Sequence, residues 1–351
     1  MAAKLALILV GSVYVARAGP SPSACAPCHR AETAMFASAG MTLALESGRN
    51  NAILQANPKL SVKIGEYFYE ISRAGNESIY TVSDGKETLR IPIDWAFGQG
   101  AAGQTYVFLR EGRWYESRVS YFSALRGLDL TMGAQTITPR NLVEAAGRLA
   151  GPVEVGQCFD CHATNVVKTP KPLLSTMIEG VQCERCHGAS EAHLRSASHP
   201  ATSPSVSEGE VHAMPKLGAL TTEEMSDFCG QCHRTWSQIA ANGPRGIQNV
   251  RFQPYRLGNS KCYDAADNRI RCTACHNPHR DVATSAAAYD AKCAACHSPA
   301  AAATKASAHI CRVAAKDCVS CHMPRLDLPG AHKKFTDHMI RIVRANQPYP
   351  D

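Results

Sequence analysis

The sequence predicts an α+β fold, in which a loop-rich, mainly short-helical region carries an inserted antiparallel β module. The 351-residue chain contains 16 cysteines and 14 histidines, yet the 128 residues from 30 to 157 contain neither. Twelve of the 23 aromatic residues lie between Tyr67 and Phe122, where they can form a core of their own. The hydrophobic share of 45% excludes a disordered chain, and no apolar run reaches the roughly 18 residues of a membrane span.

The first 18 residues predict a Sec signal peptide. Met1–Lys4 is a short basic start, Leu5–Val15 is apolar, and Ala16-Arg17-Ala18 is a small-x-small exit, which places cleavage after Ala18. An N-terminal anchor helix is the weaker alternative, because the apolar run is short and Gly11 and Ser12 interrupt it. We therefore expect an exported protein, periplasmic or at the cell surface, with no transmembrane segment in the mature chain.

Residues 51–157 predict the antiparallel β module. Asp84-Gly85 and Glu111-Gly112 suit hairpin turns between short runs of β-type residues. The predicted strands are Val62–Ile71, Ile79–Val82, Thr88–Ile93, Gln104–Arg110 and Arg113–Tyr121. We expect an antiparallel sheet or a small sandwich.

Three short helices are predicted. The first covers Asn141–Leu149. The second covers Thr221–Phe228, where Thr221 and Glu224 have the spacing of a capping box. The third is expected to begin near Thr336 and to carry His338, with Ile340 and Val343 on one side.

The cysteines follow one motif. Fourteen of the 16 form seven Cys-x-x-Cys pairs, and a histidine follows each pair directly. The motifs are Cys25/Cys28/His29, Cys158/Cys161/His162, Cys183/Cys186/His187, Cys229/Cys232/His233, Cys272/Cys275/His276, Cys293/Cys296/His297 and Cys318/Cys321/His322.

The Cys-x-x-Cys-His unit attaches c-type haem, because two thiols add to the vinyl groups and the adjacent imidazole binds the iron. Zinc ribbons share the cysteine spacing but do not need the histidine. Seven such histidines would arise by chance with a probability on the order of 10⁻¹⁰. The motifs predict seven covalently attached haem c groups, one in a segment over residues 19–50 and six in a domain over residues 158–351.

Seven further histidines could supply the second axial ligands, and they would permit bis-histidine ligation of all seven irons. They are His193, His199, His212, His279, His309, His332 and His338. His193 and His279 lie too close to their own motifs to turn back to the same iron, so each would bind a neighbouring haem. His199 and His212 are the weakest candidates, because Ser203–Pro215 has the composition of a solvated loop.

The first haem has no histidine nearby in the chain. Its sixth ligand would come from the distant C-terminal part, or it would be Met41, twelve residues after His29. A thioether ligand would raise the reduction potential of this haem above that of the bis-histidine haems. The alternative is that Met41 is a core residue.

Two cysteines, Cys262 and Cys311, lie outside the motifs. In an exported protein an even pair suggests a disulfide, which would tie the segment before the fifth motif to the segment before the seventh. The alternative is two free thiols.

From Cys158 to about Arg344 the sequence resembles the multihaem cytochromes c of the cytochrome c-554/c-prime type. The segments that carry the resemblance are Gly180–His187 followed by His193, Cys272–His279, Cys318–Pro324 and Phe335–His338. The resemblance implies that His193, His279 and His338 are distal ligands. Gly188-Ala189-Ser190 departs from a common Gly-Pro-Gly, and Met41 stands where relatives often have a histidine. Cys262 and Cys311 also resemble recurring family cysteines.

Three functions follow as hypotheses. The first is an electron carrier that relays electrons between redox proteins through closely packed haems. The second is an oxidoreductase for a nitrogen or sulfur oxyanion, in which one haem has an open site. The third is a subunit of a haem polymer or membrane electron-conduit complex, with the β module as its docking surface. The first has the most support, because the spare histidines suffice for every iron.

The charge of the chain excludes nucleic acid as an expected partner. The formal charge is +7 with the signal peptide, and removal of Lys4 and Arg17 reduces it. Fourteen haem propionates would lower the formal charge to about −9 in the reduced protein, and the seven positive charges of the ferric haems would raise it to about −2 in the oxidised protein. A near-neutral to acidic protein is expected, with redox proteins as partners.

Overall fold

A computed structural model of the chain describes residues 24–166, 174–198, 214–300 and 310–351. The predicted signal peptide lies outside the described residues, as do His199, His212 and His309. No helix within the described ranges combines the length and the apolar character that a membrane crossing needs.

Residues 45–149 form two antiparallel sheets, which confirms the predicted α+β fold. The first sheet contains β1 (Leu45–Ser47), β6 (Trp95–Phe97), β7 (Gln104–Arg110), β8 (Arg113–Phe122), β9 (Gly127–Leu130) and β10 (Gly147–Leu149). Its order is β1-β6-β7-β8, and β9 and β10 both pair with β8. The second sheet is a meander of β2 (Lys59–Ile64), β3 (Tyr67–Ala74), β4 (Glu77–Ser83) and β5 (Thr88–Pro92).

Tight turns set the strand boundaries. The single strand predicted over Val62–Ile71 is wrong, because Gly65 has a φ of +59° and Ile64 pairs with Tyr67 across a two-residue turn. Glu111 and Gly112 both have positive φ and connect β7 to β8 as predicted. The β-type composition of residues 62–71 therefore predicted strand structure correctly, but the turn at Gly65 that divides it into two strands was not predicted.

The two faces of the first sheet have different neighbours. One face shares a core with the second sheet, and this core contains Tyr69, Tyr80, Tyr106 and Phe108. Most of the twelve aromatic residues between Tyr67 and Phe122 therefore lie between the two sheets. The other face packs Phe97, Val107 and the partly buried Trp95 and Trp114 against Val155 and Phe159, which lie on the helix that ends in the second motif. The sheet is thus a platform for that motif.

The described residues also contain short helices and two small β pairs. The described helices are α1 (Arg30–Phe36), α2 (Ala52–Ala56), α3 (Leu142–Ala146), α4 (Pro152–His162), α5 (Cys183–His187), α6 (Glu191–Ser198), α7 (Thr222–His233), α8 (Trp236–Asn242), α9 (Gln253–Gly258), α10 (Cys272–Cys275), α11 (Asp290–His297) and α12 (Cys318–His322). The small pairs are β11 (Ala163–Thr164) with β12 (Ile178–Glu179), and β13 (Arg325–Asp327) with β14 (Lys334–Thr336).

The helix predictions have three different outcomes. The capping box of Thr221 and Glu224 is confirmed, and α7 continues to His233. The helix predicted over Asn141–Leu149 ends at Ala146, because Gly147 begins a strand that approaches β8 too closely for any Cβ atom. The prediction of a C-terminal helix that begins near Thr336 is wrong, because these residues do not form a helix.

An irregular, non-helical segment follows β14 in place of that C-terminal helix. The Asp337 carboxylate accepts a hydrogen bond from the Met339 backbone N–H at 3.0 Å. Ser260 Oγ accepts one from the Ile340 N–H, and the His322 carbonyl accepts one from the Arg341 N–H. These contacts take the backbone donors that a helix would have used.

Candidate functional site

Helical turns arrange the seven motifs. Three motifs lie at the C-terminal ends of α4, α7 and α11, and two more make up α5 and α12. In the fifth motif, α10 contains Cys272 and Cys275, and His276 is its C-cap residue. The His29 backbone N–H donates to the Cys25 carbonyl at 2.9 Å, so the first motif also makes a helical turn. In such a turn, positions i, i+3 and i+4 share one face. Both thiols and the imidazole of a motif can therefore face the same group.

Three motif histidines each face a histidine from elsewhere in the chain. The ring centres of His29 and His193 are 6.4 Å apart. Those of His187 and His279 are 6.1 Å apart, with nearly parallel rings. Those of His276 and His338 are 6.2 Å apart.

These separations fit an iron ion between the two rings. A bond from a metal to an imidazole nitrogen is about 2 Å long, and the ring centre lies about 1 Å behind the nitrogen. Two imidazoles on opposite sides of one iron therefore have ring centres about 6 Å apart. The three pairs have the spacing that bis-histidine ligation requires.

Backbone carbonyls orient several of these rings. His162 Nδ1 lies 3.0 Å from the Ala44 carbonyl oxygen, and His322 Nδ1 lies 2.9 Å from that of Arg341. His338 Nδ1 lies 3.0 Å from the carbonyl oxygen of Thr336. An Nδ1–H donor to a carbonyl leaves the lone pair on Nε2, which is the arrangement that metal-binding histidines use.

Burial favours the neutral form of five histidines in the motif region. It lowers the pKa of His338 to about 4. It also lowers the pKa of His162, His187, His233 and His276. Only an unprotonated imidazole can bind a metal, so the site is prepared for ligation at neutral pH.

Thiols of different motifs lie close to one another. The interacting pairs are Cys25 with Cys183, Cys161 with Cys232, Cys229 with Cys272 and Cys293 with Cys318. The first motif is therefore next to the third, the fourth lies next to both the second and the fifth, and the sixth is next to the seventh. The motifs are neighbours in space although they are spread along the chain.

Three motif thiols differ from the others because they are exposed to solvent. They are Cys28 of the first motif, Cys275 of the fifth and Cys321 of the seventh, whereas the other eleven motif cysteines are partly buried. The sequence predicts the same haem-binding role for all fourteen, but the structure does not bring Cys28 or Cys321 into the buried part of the site. The reason is local, since Pro27 and Ser320 beside them are exposed too and both turns lie at the surface. Haem attachment at all fourteen motif cysteines, exposed or partly buried, stays a prediction.

Two predicted ligand candidates have other contacts. His332 Nε2 lies 2.8 Å from the Asp129 carboxylate of β9, and the His332 ring meets that of Phe122 edge to face at 4.6 Å. The Met41 carbonyl accepts a hydrogen bond from the Val181 backbone N–H at 3.0 Å, while His29 faces His193. The ring separation makes His193 a candidate partner for His29, and the ligand role of Met41 stays a prediction.

The predicted disulfide is not formed. All 16 cysteines are free thiols in the structure, including Cys262 and Cys311. Cys262 is half-buried and interacts with Cys296 of the sixth motif, whereas Cys311 is exposed. The alternative of two free thiols describes the observed state.

The comparisons with known proteins agree with the motif chemistry. A family model described as cytochrome c554 and c-prime matches residues 132–188, which include the second and third motifs. A search of curated proteins finds no match. Together with the motifs, the family match supports a multihaem c-type cytochrome.

Among solved structures, the chain is similar to the crystal structure of the outer cell wall cytochrome OcwA, with a TM-score of 0.33 and 14% sequence identity. The alignment covers 62% of this chain and 37% of that chain. The chain therefore spans well under half the length of that cytochrome, and no detail is carried over from it.

The β module contacts the second motif directly. The Phe97 ring lies 5.3 Å from that of His162, and Phe97, Trp95 and Trp114 surround Phe159. Sequence reasoning missed this contact, because it treated the β module as a separate unit. The aromatic residue one position after Cys158 is the signal that could have indicated it.

Two carboxylates that support the paired histidines were also missed. Glu184, inside the third motif, accepts hydrogen bonds from the Ser190 backbone and hydroxyl at the start of α6, which carries His193. Asp337, next to His338, forms an ion pair with Arg256 in which both side chains are fully buried. For Asp337 the available sequence signal was its position beside the predicted ligand His338, but its partner Arg256 could not be inferred from the sequence.

Proposed function

We propose that the chain is an exported seven-haem c-type cytochrome that relays electrons between redox proteins through closely packed, mostly bis-histidine haems. The observation that carries this proposal is the set of three histidine pairs at iron-spanning separation. Bis-histidine ligation closes both axial positions, which favours electron transfer over substrate chemistry.

The pairs would also link one haem to the next. His193 follows the third motif but faces His29 of the first, and His279 follows the fifth motif but faces His187 of the third. His338, from the C-terminal segment, faces His276 of the fifth. Each odd-numbered site up to the fifth is thus tied to a later part of the chain, which supports close packing of the first, third and fifth haems.

The residues of the chain have defined roles in this proposal. The fourteen motif cysteines, including the exposed Cys28 and Cys321, would form the thioether links, and the seven motif histidines would be the proximal ligands. Distal ligands would be His193, His279 and His338, while His309 lies outside the described residues and keeps its predicted role. The haem iron supplies a one-electron couple, and the surrounding protein tunes it by ligand type, burial and hydrogen bonds.

The first experiment counts haems and tests their ligation. The mature protein is expected to carry seven haems by mass spectrometry and by the pyridine haemochrome assay. Electron paramagnetic resonance (EPR) of the oxidised protein is expected to show low-spin haem, and the reduced protein is expected not to bind CO. Fewer than seven haems would contradict the stoichiometry, and a dominant high-spin signal would contradict the electron carrier.

A pair of variants tests the ligand of the first haem. His193→Ala is expected to create one high-spin haem, because it would remove the imidazole that faces His29. Met41→Leu is the matched control, and it is expected to leave all haems low-spin and the highest reduction potential unchanged. The reverse pattern would return Met41 to the ligand set.

One observation favours the oxidoreductase as a second candidate. The contact between His332 Nε2 and Asp129 withdraws one of the seven spare histidines from the ligand set. Six would then remain for seven irons, so one haem would need another ligand or have an open position. A CO adduct of one haem in the reduced wild-type protein would favour this candidate, and nitrite, hydroxylamine and sulfite would be the substrates to assay.

A further inference from the structure

We propose that Arg256 is a positioning residue that holds His338 in place as the distal ligand of the fifth haem. This inference rests on the proposed pairing of His276 with His338. It assigns a function to the largest fully buried side chain among the described residues, which belongs to no motif.

Arg256 binds the residue directly before the ligand. Its Nε and Nη2 atoms donate to the two carboxylate oxygens of Asp337 at 2.8 and 2.9 Å, and neither side chain is exposed to solvent. A bidentate pair fixes the plane of the carboxylate as well as its distance. The backbone at Asp337 is therefore held from α9, on the other side of the buried contact.

The same carboxylate shapes the segment that carries the ligand. Asp337 also accepts hydrogen bonds from the Met339 backbone N–H at 3.0 Å and from Arg341 Nη1 at 2.6 Å. His338 lies between these anchors, and its own carbonyl accepts a hydrogen bond from Ser260 Oγ at 3.0 Å. These contacts hold the segment in a non-helical conformation, with the His338 ring centre 6.2 Å from that of His276.

The remaining donor of Arg256 holds the residues that follow. Its Nη1 atom donates to the Pro350 carbonyl at 2.8 Å and to Asn249 Oδ1 at 3.2 Å. The guanidinium lies 4.5 Å from the centre of the Tyr349 ring, and the Tyr349 hydroxyl donates to Asn249. Arg256 thus joins α9, the ligand segment and residues 349–350 in one buried network.

Stability alone is a weak reason for this arrangement. Buried ion pairs are often no more stable than hydrophobic residues of the same volume, because both charges must lose their water. The bidentate fork does supply a fixed geometry, which a ligand on a segment outside any helix or strand needs. We therefore place the function of Arg256 in the orientation of His338.

The test uses the mature haem-loaded protein with two readouts, the high-spin signal in EPR of the oxidised form and CO binding by the reduced form. Arg256→Met is expected to raise both from none to about one haem per chain. Arg256→Lys keeps the charge without the fork and is expected to give a smaller high-spin fraction. Arg118→Met removes a buried arginine of the β module, and it is expected to leave every haem low-spin.

A double variant separates orientation from charge pairing. Arg256→Met with Asp337→Leu removes both charges, so no unpaired carboxylate is left to unfold the chain. It is expected to fold and still to show the high-spin haem. A double variant with all haems low-spin would overturn the inference, because charge pairing would then be the whole effect.

His338→Ala distinguishes the inference from the proposed function. If His338→Ala creates a high-spin haem and Arg256→Met does not, the ligand pairing stands and the role of Arg256 is wrong. If His338→Ala leaves all haems low-spin, the pairing of His276 with His338 is wrong. If Arg118→Met also creates a high-spin haem, general destabilisation explains the result and the inference is wrong.

Discussion

The two-sheet region and the motif-bearing region differ in the number and arrangement of their buried hydrophobic side chains. Residues 45–149 bury tyrosine and phenylalanine side chains between two hydrogen-bonded sheets. Most of the motif-bearing region consists of short helices and loops, and its buried hydrophobic residues are few and scattered.

The difference indicates where each region obtains its stability. Sheet ladders and aromatic packing are internal to the β module, whereas the motif region has thiols and imidazoles where a core would be. Covalent haem would supply the apolar surface that this region lacks. We infer that the β module folds from its own sequence and that the motif region depends on its cofactors.

The largest expected effect is that of removing the haems. The chain produced without haem attachment is expected to keep β2–β8 protected in amide hydrogen exchange, while α5, α7 and α10–α12 lose protection. The reason is that the β module has its own core and hydrogen bonds. The holoprotein is the control. Equal protection of both regions in the haem-free chain would contradict the comparison.

A core substitution in the β module is expected to have the next largest effect. Phe108→Ala removes a fully buried ring and should reduce the free energy of unfolding of this module by about 3–5 kcal/mol, with the haem spectra unchanged. Phe68→Ala, on the exposed part of β3, is the matched control and should cost well under half as much. The measurement is denaturant unfolding followed by tyrosine and tryptophan fluorescence. A change in the EPR spectrum of the Phe108 variant would show that the regions are not independent.

Sequence patterns predicted local features well. The capping box at Thr221 and the turn at Glu111 and Gly112 depend on residues that are close together in the chain. The strand pairing across Gly147 and the network of Arg256 do not, because they join residues far apart. The helix expected near Thr336 failed for this reason, since hydrogen bonds to the distant Arg256 and Ser260 hold that segment in a non-helical conformation.

The candidate site shows the same division. The seven motifs are contiguous and could be found directly. The partner of each motif histidine could not, because His193 reaches back to His29 over 164 positions of the chain. Met41 was a candidate because it is near His29 in the sequence and stands where relatives often have a histidine. The exposure of Cys28 and Cys321 could not be predicted either, since it depends on where each turn lies in the folded chain.

The contact between the two regions gives a third, smaller prediction. Phe97→Leu keeps an apolar side chain but removes the ring that packs on His162, and it should cost about 1 kcal/mol. It should also alter the spectrum or potential of one haem, because Phe97 contacts both regions. Leu109→Ala on the neighbouring strand, which is exposed, is the control. No change in any haem signal would place the second haem away from this sheet.

The smallest expected effect belongs to His332, which connects the C-terminal part of the chain to β9. His332→Gln removes a part-exposed contact with the Asp129 carboxylate, and exposed polar contacts of this kind contribute about 0–1 kcal/mol. All haems that are low-spin in the wild type are expected to stay low-spin. The reason is that the Nε2 atom of His332 lies 2.8 Å from the Asp129 carboxylate and is not expected to bind an iron.

His279→Gln is the matched control, since this histidine faces His187 at iron-spanning separation and its loss should open one haem. EPR of the oxidised protein and CO binding by the reduced protein measure both variants. A new high-spin haem in His332→Gln would return this histidine to the ligand set and restore seven distal histidines for seven irons. The open haem of the oxidoreductase hypothesis would then lose its structural support.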